Sequence, residues 1–423
     1  MINAAVPRSA SFSVANQHAL ATILEASQTK SIIASRDIFD ISGIKLWARD
    51  QPVSSALQRK LLDRQLRNPL ETCLLAEDGV TAVTLVQSLD ALLALNTPLT
   101  ALLRPHAARL VKEAAHLPLH SVPQLLLTAG QASRPGSFEH AVQAMALCGA
   151  LMSAQGGSTA ELRMAMLAGL LHDLGELYID PRFGEADADR LLDFVSYQQL
   201  VVHPHIGHLL LAQLTNYPGS LSRAVAEHHE RLDGSGYPHG LVSDAVSPLG
   251  RLLAVTEATL GSMRHAKPLL ARASVALRAV PGEFDLAWVG GIEAAARAEP
   301  ARRASLSTAD VQARLAQLDK ALADAEQGAA HMAPAVESPA LKNAVVLAQH
   351  LLSRLRLGWN ASGLWSADAV SARDAAEVES IEDELLFRLR SIERAVQLRA
   401  GELGPGDAAR LEQLCARLRV AEA

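Results

Sequence analysis

The sequence predicts a mainly α-helical fold, and three observations support this. Hydrophobic residues make up 49% of its 423 residues but aromatic residues only 4%, so its core must consist of Ala, Leu and Val. Ala and Leu favour helix, and apolar residues recur at helical spacing along most of the chain. A chain of this length normally forms two or three domains. We therefore expect a helical bundle flanked by a small mixed N-terminal domain and a C-terminal helical region.

Charge and cysteine content exclude several classes of protein. The net charge of −6 argues against a DNA-binding protein, which would carry a basic surplus. The three cysteines are far apart and odd in number, as in a reducing compartment. No apolar run reaches the length of about 18–20 residues that a membrane span needs, and the first residues lack the apolar core of a secretory signal. We expect a cytoplasmic protein with no DNA partner and no membrane.

Residues 1–115 predict a small mixed domain with a regulatory or accessory role. The segment 37–49 alternates β-branched and aromatic residues around Ser42 and Gly43, which predicts a hairpin. A helix is expected from about Ser54, and further helices over about 86–96 and 99–115. No polar constellation typical of an active site occurs in this region.

Residues 117–300 predict a bundle of amphipathic helices. Helices are expected over about 138–154, 160–171, 201–214, 222–229 and 248–263, with Gly175 at a helix stop. Residues 301–423 are alanine-rich and predict three or four further helices, broken near Pro334, Pro339 and two glycine-containing segments. We expect this last region to serve packing or dimerisation.

Histidines are concentrated in the middle of the chain. Eight of the 15 lie between positions 140 and 239, where an even spread would place about three or four. Histidine is the commonest metal ligand and a general acid or base. A lone histidine is more often an exposed or core residue, and we place four outside any site: His205, His208, His239 and His265.

The remaining candidates fall on five separate predicted helices, most of them near a helix end. They are His140, His172, Asp173, His203, His228, His229 and Glu257. Packed together, five helices can direct these groups to one centre. A mixed set of imidazoles and carboxylates suits Fe, Mn or Zn better than calcium, and a carboxylate such as Asp173 can bridge two cations. Paired metals about 3.5–4 Å apart are a common device for phosphoester hydrolysis.

Four sequence blocks in this region resemble the HD-GYP family of the HD superfamily of metal-dependent phosphohydrolases. The string HHERLDGSGYP at 228–238 resembles the family signature, and LLHDLGE at 170–176 its HD motif. HPHIG at 203–207 and RLLAVTEA at 251–258 resemble two further blocks. His140 precedes the HD pair by 32 residues, as the family's first histidine does. The resemblance covers about residues 117–300.

The resemblance implies an HD-superfamily helical bundle that hydrolyses cyclic di-GMP, or its linear dinucleotide, in bacterial signalling. It implies two divalent metal ions held by the seven residues named above, with Glu257 in place of the family's later aspartate. His172 and Asp173 would be catalytic, and Asp173 would bridge the metals. Gly236, Tyr237 and Lys267 would bind the substrate. The implied partners are a cyclic dinucleotide and either a second copy of the chain or signalling proteins.

The sequence also departs from the family pattern. Glu176 stands where the family has lysine, so an anion replaces a cation that could contact phosphate. Leu260 replaces a second aspartate, and Lys267-Pro268 is the nearest match to an Arg-Pro-Tyr run. Gly136 stands where a third-metal glutamate is found in some members, which favours a two-metal site. Two hypotheses follow: a working phosphodiesterase, or a degenerate module that binds metal or nucleotide as a sensor or interaction domain.

Overall fold

A computed structural model of the chain describes residues 12–184, 194–264, 269–299, 307–333, 338–361, 372–401 and 403–419. The predicted mainly α fold is confirmed, since helices account for most of the described residues. The N-terminal helices are α1 Gln17–Ala26, α2 Ser55–Leu61, α3 Ala82–Ala94, α4 Pro98–Leu103, α5 Ala107–Ala114 and α6 Ser121–Ser133. The central helices are α7 Pro135–Ala154, α8 Thr159–Leu171, α9 Phe194–Leu200, α10 His203–Leu214, α11 Gly219–Glu227, α12 Pro248–Met263, α13 Leu270–Arg278 and α14 Leu286–Ala298. The C-terminal helices are α15 Thr308–Met332, α16 Pro339–Ala361, α17 Ala372–Ala400 and α18 Pro405–Leu418.

Short antiparallel strands occur in the N-terminal region. Strand β1 (Ile32–Ala34) pairs with β4 (Leu74–Ala76), so that Ile32 lies opposite Ala76. Strand β2 (Ile38–Phe39) pairs with β3 (Lys45–Trp47), which confirms the predicted hairpin. Gly43 adopts a φ of +83° in its turn, a conformation that glycine allows without strain.

Local sequence signals explain where several helices begin. Ser158 accepts a hydrogen bond from the backbone of Glu161, and Glu161 reaches back to Ser158, so α8 starts with a capping box. Helices α7 and α10 carry proline in their first turn, where a missing N–H costs nothing. These starting points matter because α7 and α10 carry candidate ligands and α8 ends directly before His172.

Helices α7 and α8 pack closely because of a glycine. A Cβ added to Gly169 of α8 would lie 2.4 Å from the carbonyl oxygen of Ala144 on α7. No other residue permits this approach of the two backbones. The close packing brings the end of α8 towards the middle of α7.

The chain divides into two compact units. Among the described residues, one unit holds 12–229 together with Ser247–Glu257, and the other holds Glu230–Val246 together with those from Ala258 onward. In the first unit, the strands and α1 share an apolar core that includes Ile23, Ile32 and Leu57. The division into residues 1–115, 117–300 and 301–423 stays a prediction.

In the second unit, the four long C-terminal helices share their own apolar core. Leu322 of α15, Leu351 of α16 and Val396 of α17 are almost fully buried in it. Arg388 of α17 forms an ion pair with buried Glu283 and donates a hydrogen bond to the carbonyl of Ala276. The predicted role of residues 301–423 in dimerisation stays a prediction.

Among the described helices, no single one has both the length and the apolar character to cross a membrane. One pair of consecutive segments is long and apolar enough only when both are counted together, and the pair is bent by 110°: Ala82–Ala94 and Pro98–Ala114.

Candidate metal centre

The first group of candidate ligands contains His140, His172, Asp173 and Glu257. Nε2 of His140 lies 3.2 Å from Nε2 of His172 and 2.9 Å from Oε2 of Glu257. Nε2 of His172 lies 3.1 Å from Oδ2 of Asp173 and 3.2 Å from Oε2 of Glu257. All four side chains offer ligand atoms within 4.8 Å of one another, a spacing that one cation can bridge.

The second group contains Asp173 again, with His203, His228 and His229. Nε2 of His203 lies 3.1 Å from Nε2 of His228. Oδ1 of Asp173 lies 3.5 Å from Nε2 of His203 and 3.3 Å from Nε2 of His228. The three histidines are buried, so this group is shielded from bulk water.

Asp173 belongs to both groups through different oxygens. Oδ2 faces His140 and His172, whereas Oδ1 faces His203 and His228. Oδ1 is buried and accepts no hydrogen bond within the described part of the chain. A buried carboxylate oxygen without such a bond is costly unless a cation contacts it. This geometry fits a carboxylate that bridges two cations.

Backbone carbonyls orient three of the imidazoles. Nδ1 of His172 lies 2.8 Å from the carbonyl oxygen of Gly169, that of His203 lies 2.7 Å from Leu200, and that of His228 lies 2.6 Å from Val225. Because a carbonyl only accepts, each Nδ1 carries the proton and donates it. In the neutral ring, Nε2 is then left with its lone pair, as in a metal-bound histidine.

The pair His203 and His228 shows the consequence most clearly. With both Nδ1 atoms donating, two Nε2 lone pairs face each other across 3.1 Å. Only a cation, either a proton or a metal ion, makes this approach favourable. Burial lowers the pKa of His228 to about 4, which disfavours a proton on that ring. The donor set therefore fits a divalent metal ion.

Two carboxylates, Asp173 and Glu257, raise the pKa of His172, whereas burial lowers that of His228. Burial alone would lower the pKa of His172, but Asp173 and Glu257 outweigh it and hold this pKa well above its ordinary value. Burial would likewise raise the pKa of Asp173, but His172 and His140 hold it well below its usual range. In the absence of a metal, a proton on His172 is thus stabilised by both carboxylates.

A glycine brings the HD pair against α10. A Cβ added to Gly175 would lie 2.0 Å from the carbonyl oxygen of His203. Gly175 belongs to the short 3-10 helix Leu174–Tyr178, which begins directly after Asp173. The absence of a side chain here lets Asp173 lie beside His203.

Glu227 is a functional candidate that sequence reasoning missed. It is almost fully buried, and its Oε2 accepts hydrogen bonds from the backbone N–H and the hydroxyl of Ser247. Ser247 in turn accepts from the backbone N–H of Gly250 in the first turn of α12. Glu227, which directly precedes His228, therefore ties the start of the helix that carries Glu257 to the end of α11. In the sequence, the only signal for a role of Glu227 is its position directly before the pair His228 and His229.

Two departures from the family pattern are visible in the described residues. The carboxylate of Glu176 is buried next to Gly184, where an added Cβ would lie 3.3 Å from Oε2. Its backbone carbonyl accepts a hydrogen bond from Arg134. Leu260 is buried and apolar, so it supplies no ligand.

The signature loop that follows His229 is organised by Glu230. One carboxylate oxygen of Glu230 accepts from the backbone N–H of His239, at 2.7 Å, and the other from that of Leu241, at 2.8 Å. Gly236 and Tyr237 lie within this loop, and their role in substrate binding stays a prediction. Lys267, like Pro268 and His265, lies outside the described residues.

The structure separates the predicted ligands from the other histidines. The seven candidates contribute to the two groups, as expected from the sequence, although their role as ligands stays a prediction. Neither group includes His205, His208 or His239. His208 contacts the carbonyl of Ser222 through Nδ1, and His239 is exposed.

Comparison with known proteins agrees with this site. Residues 99–279 match the family model of the HD domain. A cyclic di-GMP phosphodiesterase of Pseudomonas aeruginosa is 32% identical over 36% of this chain and 36% of its own length. A cyclic di-GMP phosphodiesterase response regulator of Xanthomonas campestris is 32% identical over 29% of this chain and 33% of its own. A 3'3'-cGAMP-specific phosphodiesterase of Vibrio cholerae is 31% identical over 21% of this chain and 19% of its own.

These matches span about a third or less of each relative's length. The HD-domain match, residues 99–279, contains both ligand groups, and this domain implies binding of divalent metal. Residues 99–279 therefore match the HD domain, in agreement with the resemblance to the HD-GYP family.

Proposed function

We propose that the chain is a metal-dependent phosphodiesterase that hydrolyses a cyclic dinucleotide. The observation that carries this proposal is the pair of ligand groups that share Asp173. Two adjoining cations are suited to an in-line displacement at phosphorus, because they stabilise the attacking and the leaving oxygen together. The similar proteins named for cyclic di-GMP and 3'3'-cGAMP support this substrate class.

In this proposal, His140, His172 and Glu257 would hold one divalent ion and His203, His228 and His229 would hold the other. Asp173, which belongs to both groups, would contribute to both sites. Iron, manganese and zinc are the candidate metals, since all three accept mixed imidazole and carboxylate ligands. The bound ions would supply Lewis acidity for attack on the phosphodiester.

The residues of the chain have defined tasks in this reaction. The backbone carbonyls of Gly169, Leu200 and Val225 fix the ligand imidazoles in one tautomer and one orientation. Gly236, Tyr237 and Lys267 are proposed to bind the substrate, as the family resemblance implies.

The second candidate function is a module that binds metal or nucleotide without turnover. The observation that favours it is Glu176, an anion where the family has a cation. The buried carboxylate of Glu176, three positions after Asp173 in the sequence, adds a negative charge where the family has a positive one, and this charge opposes a phosphodiester anion.

Turnover by the purified full-length chain separates these functions. The chain is loaded with Mn²⁺ or Fe²⁺ and incubated with cyclic di-GMP, 3'3'-cGAMP or the linear dinucleotide, and the products are separated by ion exchange. We expect hydrolysis that disappears in His172→Ala/Asp173→Ala. His116→Ala serves as the matched control, because His116 is exposed and lies outside both groups. A metal-loaded chain without turnover of any of the three substrates would establish the binding module instead.

A further inference from the structure

The short 3-10 helix Leu174–Tyr178, here called the ligand turn, links the HD pair to the N-terminal region. It starts at the residue after Asp173, and the backbone N–H of Glu176 donates a 2.9 Å hydrogen bond to the carbonyl of Asp173. A displacement of the ligand turn must therefore move Asp173, the residue that both ligand groups share.

Tyr178 at the end of the ligand turn is bonded to Glu71 of the N-terminal region. The hydroxyl of Tyr178 donates a 2.6 Å hydrogen bond to Oε1 of Glu71. Both side chains are almost fully buried, and Oε2 of Glu71 accepts no hydrogen bond in the described part of the chain. Burial raises the pKa of both groups. Among the described side chains, Tyr178 alone donates a hydrogen bond to this carboxylate. Loss of the bond would leave the buried carboxylate without a side-chain donor, which costs free energy of folding.

Three further contacts hold the ligand turn from the same direction. The side-chain amide of Asn16, which also caps α1, donates to the carbonyl of Tyr178 at 3.1 Å. The ring of Phe12 lies edge-on to that of Tyr178, with centroids 6.0 Å apart. Arg134 donates to the carbonyl of Glu176 and to the hydroxyl of Thr22 on α1. The N-terminal region thus holds the ligand turn directly through Phe12, Asn16 and Glu71, and indirectly through the bond between Thr22 and Arg134.

The ligand turn also packs closely against α10. Gly175 lies so close to α10 that an added Cβ would be 2.0 Å from the carbonyl oxygen of His203. A shift at Tyr178 is therefore passed on to the distance between Asp173 and His203 instead of being absorbed by empty space.

We propose that Tyr178 and Glu71 are positioning residues through which the N-terminal region sets the place of Asp173, and with it the metal affinity of both ligand groups. The proposal rests on the proposed function only in taking the two groups to be metal sites. It gives residues 12–76 a direct part in the site. A sensor that acts by loosening this bond would weaken metal binding.

Mn²⁺ titration of the full-length chain, with free Mn²⁺ counted by EPR, tests this proposal. We expect Tyr178→Phe and Glu71→Leu to weaken Mn²⁺ binding at least about 10-fold, as loss of an outer partner of a metal site does. Glu71→Gln keeps a carbonyl acceptor for the tyrosine hydroxyl, so it should bind within about threefold of the parent chain.

Asp40→Ala is the matched control. Asp40 is buried in the same N-terminal region and pairs with Arg64, but it does not contact the ligand turn. Thermal unfolding of each variant is measured alongside, so that loss of stability is separated from loss of metal. Unchanged Mn²⁺ affinity in Tyr178→Phe, or an equal loss in Asp40→Ala, would overturn the proposal.

The two proposals fail in different ways. A parent chain that binds Mn²⁺ but hydrolyses no dinucleotide contradicts the proposed function, while the comparison of Mn²⁺ affinities still decides the role of Tyr178. A parent chain that binds no Mn²⁺ overturns both proposals.

Discussion

Replacement of Gly175 by alanine tests whether close packing of the ligand turn assembles the site. The added Cβ would lie 2.0 Å from the carbonyl oxygen of His203, whereas ordinary contact begins at 3.4 Å. One of the two segments must therefore move by about 1.4 Å. Metal–ligand distances tolerate about 0.2 Å. We expect Mn²⁺ binding to weaken at least about 10-fold and the free energy of unfolding to fall by about 1–3 kcal/mol.

Gly136→Ala is the control for this change. Gly136 lies in α7, the helix that carries His140, and a Cβ there meets no atom within 4 Å. Mn²⁺ titration by EPR and urea unfolding are measured for both variants and the parent chain. If Gly175→Ala bound Mn²⁺ as tightly as Gly136→Ala, the reasoning from backbone contact would be refuted.

Three more predictions concern charge. His172 has a pKa well above its ordinary value and must lose a proton to bind metal, whereas His228, with a pKa of about 4, is already neutral at pH 7. Affinity of the first group should thus rise with pH around neutrality, whereas His228 adds no such dependence to the second group. Calorimetry in buffers of different ionisation enthalpy would show proton release from His172 when the first group binds metal, and its absence in His172→Ala would be the control. Glu176→Lys should lower KM for cyclic di-GMP about fivefold, equal to about 1 kcal/mol, in steady-state assays, and no change in a metal-loaded variant would contradict the charge argument. Arg388→Ala takes the nearer cation from buried Glu283 and leaves it Arg231, at 3.5 Å, so it should cost about 3 kcal/mol in urea unfolding, and a loss below about 1 kcal/mol would contradict it.

The sequence predicted those features that depend on local signals. The hairpin over 37–49 follows from its alternating pattern around a glycine, and Gly43 does adopt a positive φ there. The histidine spacing and the HD-GYP resemblance together picked out the seven side chains that the structure brings together. In each case the information lay within a few residues or in one recognisable string.

Other features have no local signal. Glu71 and Tyr178 are 107 positions apart, and neither stands in a pattern that predicts a buried hydrogen bond. Glu227 looks like an ordinary charged residue on a short helix, yet it binds the start of α12. The sequence predicts Gly175 only as a helix stop. Its contact with His203 has no local signal, because this contact exists only after two distant segments have packed. Long-range packing decides all three.

The shared position of Asp173 is the central claim, and metal content per chain tests it most directly. Elemental analysis is made on the parent chain, on His140→Ala and on Asp173→Asn after loading with Mn²⁺ and dialysis. We predict two ions per chain in the parent, one in His140→Ala, and none in Asp173→Asn, because its carboxylate faces both groups. Two ions retained by Asp173→Asn, or one ion in the parent chain, would contradict the claim.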